Sequence, residues 1–340
     1  ILTFKYNCVL FLLLILYLIS ASILRYFDLG YYSDIIMILY VILYFRKFPR
    51  IYFLFIPLFI FILLVLIYFN KGSFEILLFL RFHFLYLTFS LFCLHFVINK
   101  ISKKQYNILL FIFICLCSFH LLTYFGIFGD NNFVLKPNND FIVRTIYHFP
   151  IIRMGNLFGI SPSGNAIVYS IILSLSFTKY FLFFIPILLI SLVLLASASS
   201  AFFFVYFFMS NFKLLFFFLL IFLPLMLINI NDILDLLAYT QKIFLKFYTD
   251  YLPYFPYGLN FDLPSNSGEY RGVRDLGLLS VFSSFGLFAL IGLLPFCYLL
   301  LSESKLAFFK FFFTLSIFVH GIFYFYPVLV IAASLFARKK

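Results

Sequence analysis

Residues 51–69 read IYFLFIPLFIFILLVLIYF, without a single charge. As a helix rising about 1.5 Å per residue, such a run is about 28 Å long, close to the hydrocarbon thickness of a bilayer. In lipid every backbone N–H and C=O must find its partner within the chain, which leaves helices or a closed barrel. The run is continuous rather than alternating, so it specifies a helix. Comparable runs recur throughout, beginning with CVLFLLLILYLISASIL at 8–24. Hydrophobic residues make up 65% of the 340, and the mean hydropathy of +1.14 exceeds what a soluble chain of this length reaches. The fold class these features predict is an all-α polytopic membrane protein. No small-residue cleavage site follows the first run, so it reads as a retained span rather than a signal peptide.

Spans are expected near 8–24, 31–45, 51–69, 76–98, 108–125, 165–178, 180–195, 198–210, 214–230, 276–301, 306–320 and 322–337. Basic clusters at 46–50, 99–104, 211–213, 302–310 and 338–340 lie between or after them. Lysine and arginine collect on the cytoplasmic side of membrane proteins. Alternation from a cytoplasmic N-terminus puts all five clusters inside when there are twelve spans, with a tight turn at His320–Gly321. Fusing the last two spans gives eleven and breaks that agreement. The net charge of +12 therefore reports topology. No basic stripe on a soluble domain points to nucleic acid. Cys8, Cys93, Cys115, Cys117 and Cys297 all fall in apolar runs, which reads as buried thiols rather than a disulfide or zinc framework.

The same alternation places two long loops outside, 126–164 and 231–275. They hold Asp130, Asp140, Asp232, Asp235, Asp250, Asp262, Glu269 and Asp275, most of the acidic residues. They also hold Arg144, Arg153, Arg271 and Arg274. Loops this long are functional or disordered, and their aromatic and proline content argues for order. Near 236–252 an amphipathic helix is expected, with Tyr239, Lys242, Lys246 and Thr249 or Asp250 on one face and Ile243, Phe244 and Phe247 on the other.

Arginine on the translocated side is disfavoured by topology, so these four need a reason. Salt bridges to loop acids, or snorkelling, would supply a bland one. Anion recognition is the functional alternative: a guanidinium presents a planar, permanently charged fork that fits a phosphate with two bonds. Gly155, Gly159 and Gly164 would let the backbone approach a ligand closely. SPSGN (161–165) reads as a helix start capped by Ser163 or Asn165, or as a plain glycine-rich turn. His148, between Arg144 and Arg153, is a candidate acid or base. Asp275 either activates a sugar hydroxyl or caps the following span, and Glu269 is a comparable candidate. Arg81 and His83 lie in or near the fourth span, and snorkelling is the expected role of Arg81. No HExxH, Asp-x-Asp or Cys/His cluster occurs, so no metal or other cofactor is expected.

This layout resembles the Wzy-type O-antigen polymerases and, more distantly, the O-antigen ligases. The family pattern includes an arginine followed eleven residues later by a glycine in such loops. Arg153 to Gly164 fits it, as does Arg144 to Gly155, whereas Arg274 reaches Gly286 one residue late. RDLGLLSVFSSFGLFALIG (274–292) also looks like the family's entry into the span after the second loop. Ligases carry a histidine in that loop and 231–275 has none, which favours polymerase. The resemblance implies a GT-C-like fold of about twelve helices and two periplasmic loops in a bacterial inner membrane. It implies metal-independent, inverting glycosyl transfer from one undecaprenyl-diphosphate-linked oligosaccharide to another, with a chain-length regulator as partner. Arg144, Arg153, Arg271 and Arg274, with Gly155 and Gly164, would bind the diphosphate; Asp275, Glu269 or His148 would act as base. A flippase for the same lipid-linked sugar is the non-enzymatic alternative, but it would need cations lining a cavity within the spans.

Overall fold

The computed structural model describes residues 2–24, 29, 31–45, 77, 80–127, 143–146, 149–152, 154, 162–179, 181–195, 203, 206–207, 210, 238, 241–242, 245, 248 and 327–338. Seven helices carry most of them. They are α1 (Leu2–Ile19), α2 (Tyr32–Phe45), α3 (Tyr86–Asn99), α4 (Lys103–Tyr124), α5 (Pro162–Thr178), α6 (Ile185–Leu194) and α7 (Pro327–Ala337). Wider π turns extend α1 through Ser20–Leu24 and lead into α3 over Leu80–Leu85, and a short 3-10 turn at Leu182–Phe184 leads into α6. Among the described residues two stretches, Tyr6–Leu24 and Lys103–Tyr124, are long and apolar enough to cross a membrane. The expected spans at 8–24, 31–45, 76–98, 108–125, 165–178, 180–195 and 322–337 each overlap one of these helices, and of 198–210 the described residues, 203, 206, 207 and 210, are helical. Those at 51–69, 214–230, 276–301 and 306–320 lie outside the described residues.

One departure from an all-α chain stands among the described residues. Strands β1 (Val143–Ile146) and β2 (Phe149–Ile152) pair antiparallel, with Val143 opposite Ile152, Arg144 opposite Ile151, Thr145 opposite Pro150 and Ile146 opposite Phe149. Pro150 has no N–H to give, which a two-stranded ribbon tolerates because each strand has an unpaired edge.

The bundle is arranged around its last helix. α7 packs against both α3 and α5, α2 joins α1 to α3, and α4 and α6 close around α5. Every residue of α7 is buried. Its Ala332, Ala333, Ser334 and Ala337 keep the helix thin, so neighbouring backbones can approach. The peripheral helices invert the pattern of a water-soluble protein. α2 turns Ser33, Met37, Tyr40 and Tyr44 inward and exposes Ile35, Ile38, Leu39, Ile42 and Leu43. Val9, Leu12 and Leu16 of α1 and Leu189, Ile190 and Val193 of α6 are likewise exposed. A contiguous aliphatic exterior of this kind suits lipid and not water. Buried serine hydroxyls are satisfied within their own helices: Ser22 donates to the Leu18 carbonyl at 2.7 Å, Ser170 to Ala166 at 2.6 Å and Ser334 to Val330 at 2.6 Å.

Side-chain contacts fix the sense of each helix. Tyr6, near the start of α1, donates to the carbonyl of Leu43, near the end of α2. Tyr44 meets His95 Nδ1 at 2.6 Å, so α2 and α3 end together. The Arg338 guanidinium, just past α7, donates to the carbonyls of Ile101 and Ser102 between α3 and α4. Lys179, just past α5, stands 5.5 Å from the ring centre of Tyr106 in the first turn of α4. The bundle thus has one end rich in lysine and arginine. At the opposite end α2, α3, α5 and α7 begin and α1, α4 and α6 finish. This alternation agrees with the expected one wherever the helices are described.

The thiol expectation holds for half of the described cysteines. Cys93 and Cys117 are buried, whereas Cys8 and Cys115 face outward. An apolar run does not say which side of its helix is covered.

Candidate functional site

The end away from the lysines receives the first long loop. α4 finishes at Tyr124, and Gly126 takes φ 76° just beyond its cap Phe125. Its N–H donates to the Thr123 carbonyl at 3.0 Å and that of Ile127 to Leu122 at 3.2 Å. A glycine reaches this left-handed conformation without a Cβ clash and so turns the chain out of the helix. The hairpin follows, and then Met154, which is fully buried and whose N–H donates to the Leu194 carbonyl at 2.9 Å. That bond occupies a carbonyl that the end of α6 leaves without an intrahelical partner. The loop is therefore stitched to the bundle at one backbone position before the chain re-enters α5.

α5 begins at Pro162, a residue whose fixed φ and missing N–H suit a first helical position. The helix thus starts inside SPSGN, as expected, but Ser163 and Asn165 lie within its first turn and not ahead of it as the expected cap. Gly164 and Asn165 are both buried there. Among the residues expected to bind a diphosphate, Arg144 sits in β1 opposite Ile151 and Gly164 in α5. Arg153, one residue before the anchored Met154, lies outside the described residues, as do Gly155, Arg271, Arg274, His148, Asp275 and Glu269. In the second loop Ala238, Gln241, Lys242, Leu245 and Tyr248 are helical and exposed. Their spacing puts Leu245 and Tyr248 on the outward face with Lys242, so that face is less polar than expected.

Arg81 stands at the same end. It was expected to snorkel. Instead its Nη2 lies 2.9 Å from Oδ2 of Asp34, and its guanidinium is 5.9 Å from the Tyr86 ring centre. With 39% of the arginine side chain and 25% of the aspartate exposed, this is an ion pair at the rim, tying the start of α2 to the turn before α3.

Sequence reasoning missed the polar cluster in the interior. Tyr169 of α5 is fully buried and donates to the Cys117 carbonyl of α4 at 3.1 Å. His120 Nδ1 is 2.9 Å from the same hydroxyl. His120 Nε2 is buried without a hydrogen-bond partner among the described residues. The only signal in sequence was a histidine inside an apolar run, a functional flag by default. Nothing in the pattern links it to a tyrosine 49 positions away. Tyr169→Phe keeps the ring but leaves His120 Nδ1 without this partner and removes the bond that ties α5 to the Cys117 carbonyl. It is expected to destabilise the bundle by about 1–3 kcal/mol, read as a lower thermal midpoint in detergent. A midpoint equal to wild type would show that the hydroxyl contributes nothing.

No known protein family, curated protein or solved structure matches the chain.

Proposed function

We propose that the protein is a polymerase of lipid-linked oligosaccharide repeat units of the O-antigen type. It spans a bacterial inner membrane about twelve times, with a GT-C-like arrangement, and works at the periplasmic end of its bundle. The observation that carries the reading is the concentration of Arg144, Arg153, Arg271 and Arg274 in two long loops of a chain otherwise built of apolar helices. The anchoring of Met154 on α6 supports it, because it holds one of those loops against the helix ends.

In the reaction, a sugar hydroxyl of one lipid-linked unit attacks the anomeric carbon of the growing chain on undecaprenyl diphosphate. A new C–O bond forms with inversion. The bond to the diphosphate breaks, and the lipid diphosphate leaves with the electron pair. Arginines neutralise the charge that builds on the leaving group, the largest electrostatic demand of such a step. Asp275, Glu269 or His148 takes the hydroxyl proton. A chain-length regulator is the expected protein partner.

Two neighbouring readings are weaker. A flippase wants cations within its spans, and the described charged side chains of the bundle, Asp34, Arg81, Lys100, Lys103, Lys104, Lys179 and Arg338, stand at its ends. A ligase of this family carries a histidine in the second loop, which 231–275 lacks.

Purified protein in liposomes is expected to convert lipid-linked repeat units into a ladder of lengths in excess EDTA. Activity that disappears with EDTA and returns only with a divalent ion would defeat the metal-free mechanism. Absence of any ladder with or without metal would defeat the polymerase reading.

A further inference from the structure

The opposite end of the bundle carries its own concentration of charge, and the polymerase chemistry does not use it. Lys100 at the end of α3, Lys103 and Lys104 at the start of α4, Lys179 after α5 and Arg338 after α7 come from four helices. Tyr106 gathers two of them. Its ring lies 5.5 Å from the Lys179 ammonium and 5.6 Å from the Arg338 guanidinium, so two cations share one aromatic face system. Arg338 is fixed by its bonds to the Ile101 and Ser102 carbonyls. Those bonds use two of five donors. Burial, the larger influence, lowers the Arg338 pKa, and Tyr106 opposes that; an arginine keeps its charge at any physiological pH regardless.

Lys100, Lys103 and Lys104 are exposed and make no ion pair among the described residues. Their positions are also electrostatically awkward. Ser102 caps α4 through its bond from the Gln105 N–H, with the Gln105 side chain returning to the Ser102 N–H, so Lys103 and Lys104 occupy the first helical positions. There the positive end of the helix repels them. Repulsion among Lys100, Lys103, Lys104 and a helix terminus is relieved by an anion bound between them. The flanking exterior is apolar, with Phe111 of α4, Phe183 just before α6 and Leu189 within it exposed, so the anion that arrives with acyl chains attached fits both surfaces.

We propose that this end is a binding site for the phosphate-diester headgroup of an anionic phospholipid, held by Lys100, Lys103, Lys104 and Arg338. The proposal rests on the chain residing in a bilayer and is independent of what the loops at the other end catalyse. Basic clusters between helices at the membrane surface recognise such headgroups through the same forces.

The test uses the full chain in a neutral detergent, titrated with phosphatidylglycerol, with phosphatidylcholine and with inorganic phosphate at matched concentrations. Phosphatidylglycerol is expected to raise the thermal midpoint in a saturable manner, phosphatidylcholine to leave it unchanged, and phosphate alone to act only at far higher concentration. The double variant Lys103→Gln/Lys104→Gln is expected to weaken the lipid's apparent affinity roughly thirtyfold, about fivefold per lysine, and Lys103→Arg/Lys104→Arg to restore it. Lys242→Gln, on the second-loop helix, should leave it as in wild type. An undiminished lipid response in the glutamine variant, an equal response to phosphatidylcholine, or a full response to free phosphate each overturns the proposal. If the glutamine variant does not fold, Lys100→Gln with the same titration decides.

Discussion

Arg153→Ala at wild-type protein level is expected to collapse a long lipopolysaccharide ladder to core plus a single repeat. In the proposed reaction the leaving diphosphate carries the charge that the transition state must disperse, and one charge-assisted contact in a partly dry site contributes about 2–4 kcal/mol, roughly thirtyfold to a thousandfold in rate. Arg153→Lys separates charge from shape. Lysine keeps the charge but is a compact point donor without the two-pronged fork, so it should lose much of what alanine loses. An exposed salt bridge in the same place would contribute under about 1 kcal/mol and leave the ladder nearly normal. A normal ladder from Arg153→Ala therefore removes this residue from the site, and normal ladders from all four arginine variants remove the site.

Ala332→Phe is expected to have the second-largest effect, on stability. Ala332 is fully buried in the helix against which both α3 and α5 pack. A phenyl ring there forces two neighbours apart, at a cost of about 3 kcal/mol, the upper part of the range for overfilled cores. The thermal midpoint in detergent should fall by several degrees and the monodisperse fraction on size exclusion should shrink. Ile42→Phe, on the outward side of α2 where the native side chain is 64% exposed, should do neither. Equal melting of the Ala332→Phe variant and wild type would mean that α7 is not closely packed on its partners.

The helices were legible in the sequence because their signal is local. A run of apolar residues with no charge can satisfy its backbone only as a helix, and the described helices fall where those runs do. Boundaries moved where capping, not hydropathy, decides: α4 starts at Lys103 because Ser102 and Gln105 cap each other, five residues before the apolar run suggested. The hairpin at 143–152 was not legible. VRTI and FPII are short, their connection lacks the Asn-Gly or Asp-Gly that announces a tight turn, and a proline in β2 argues against a strand. Long-range pairs were also silent. Arg81 announced itself as a charge in an apolar run, but its partner Asp34 lies in another span. Arg338 read only as part of a terminal basic cluster, although it bridges two helices. Of the proposed diphosphate site, the sequence supplied the residue types and the loops; the anchor that brings Met154 to α6 is a backbone bond, which no side-chain pattern encodes.

The central place of α7 has a consequence for how the molecule is made. The ribosome releases that helix after every other described element, so α3 and α5 wait in the membrane without the surface they share. Until then the faces of α3 and α5 that pack on α7 lack their final neighbour, and loosely associated helices of this kind are the substrates of membrane quality control. Assembly is thus gated by the arrival of eleven residues, Pro327–Ala337, and a stalled or shortened nascent chain would leave an open bundle marked for degradation instead of a smaller folded one.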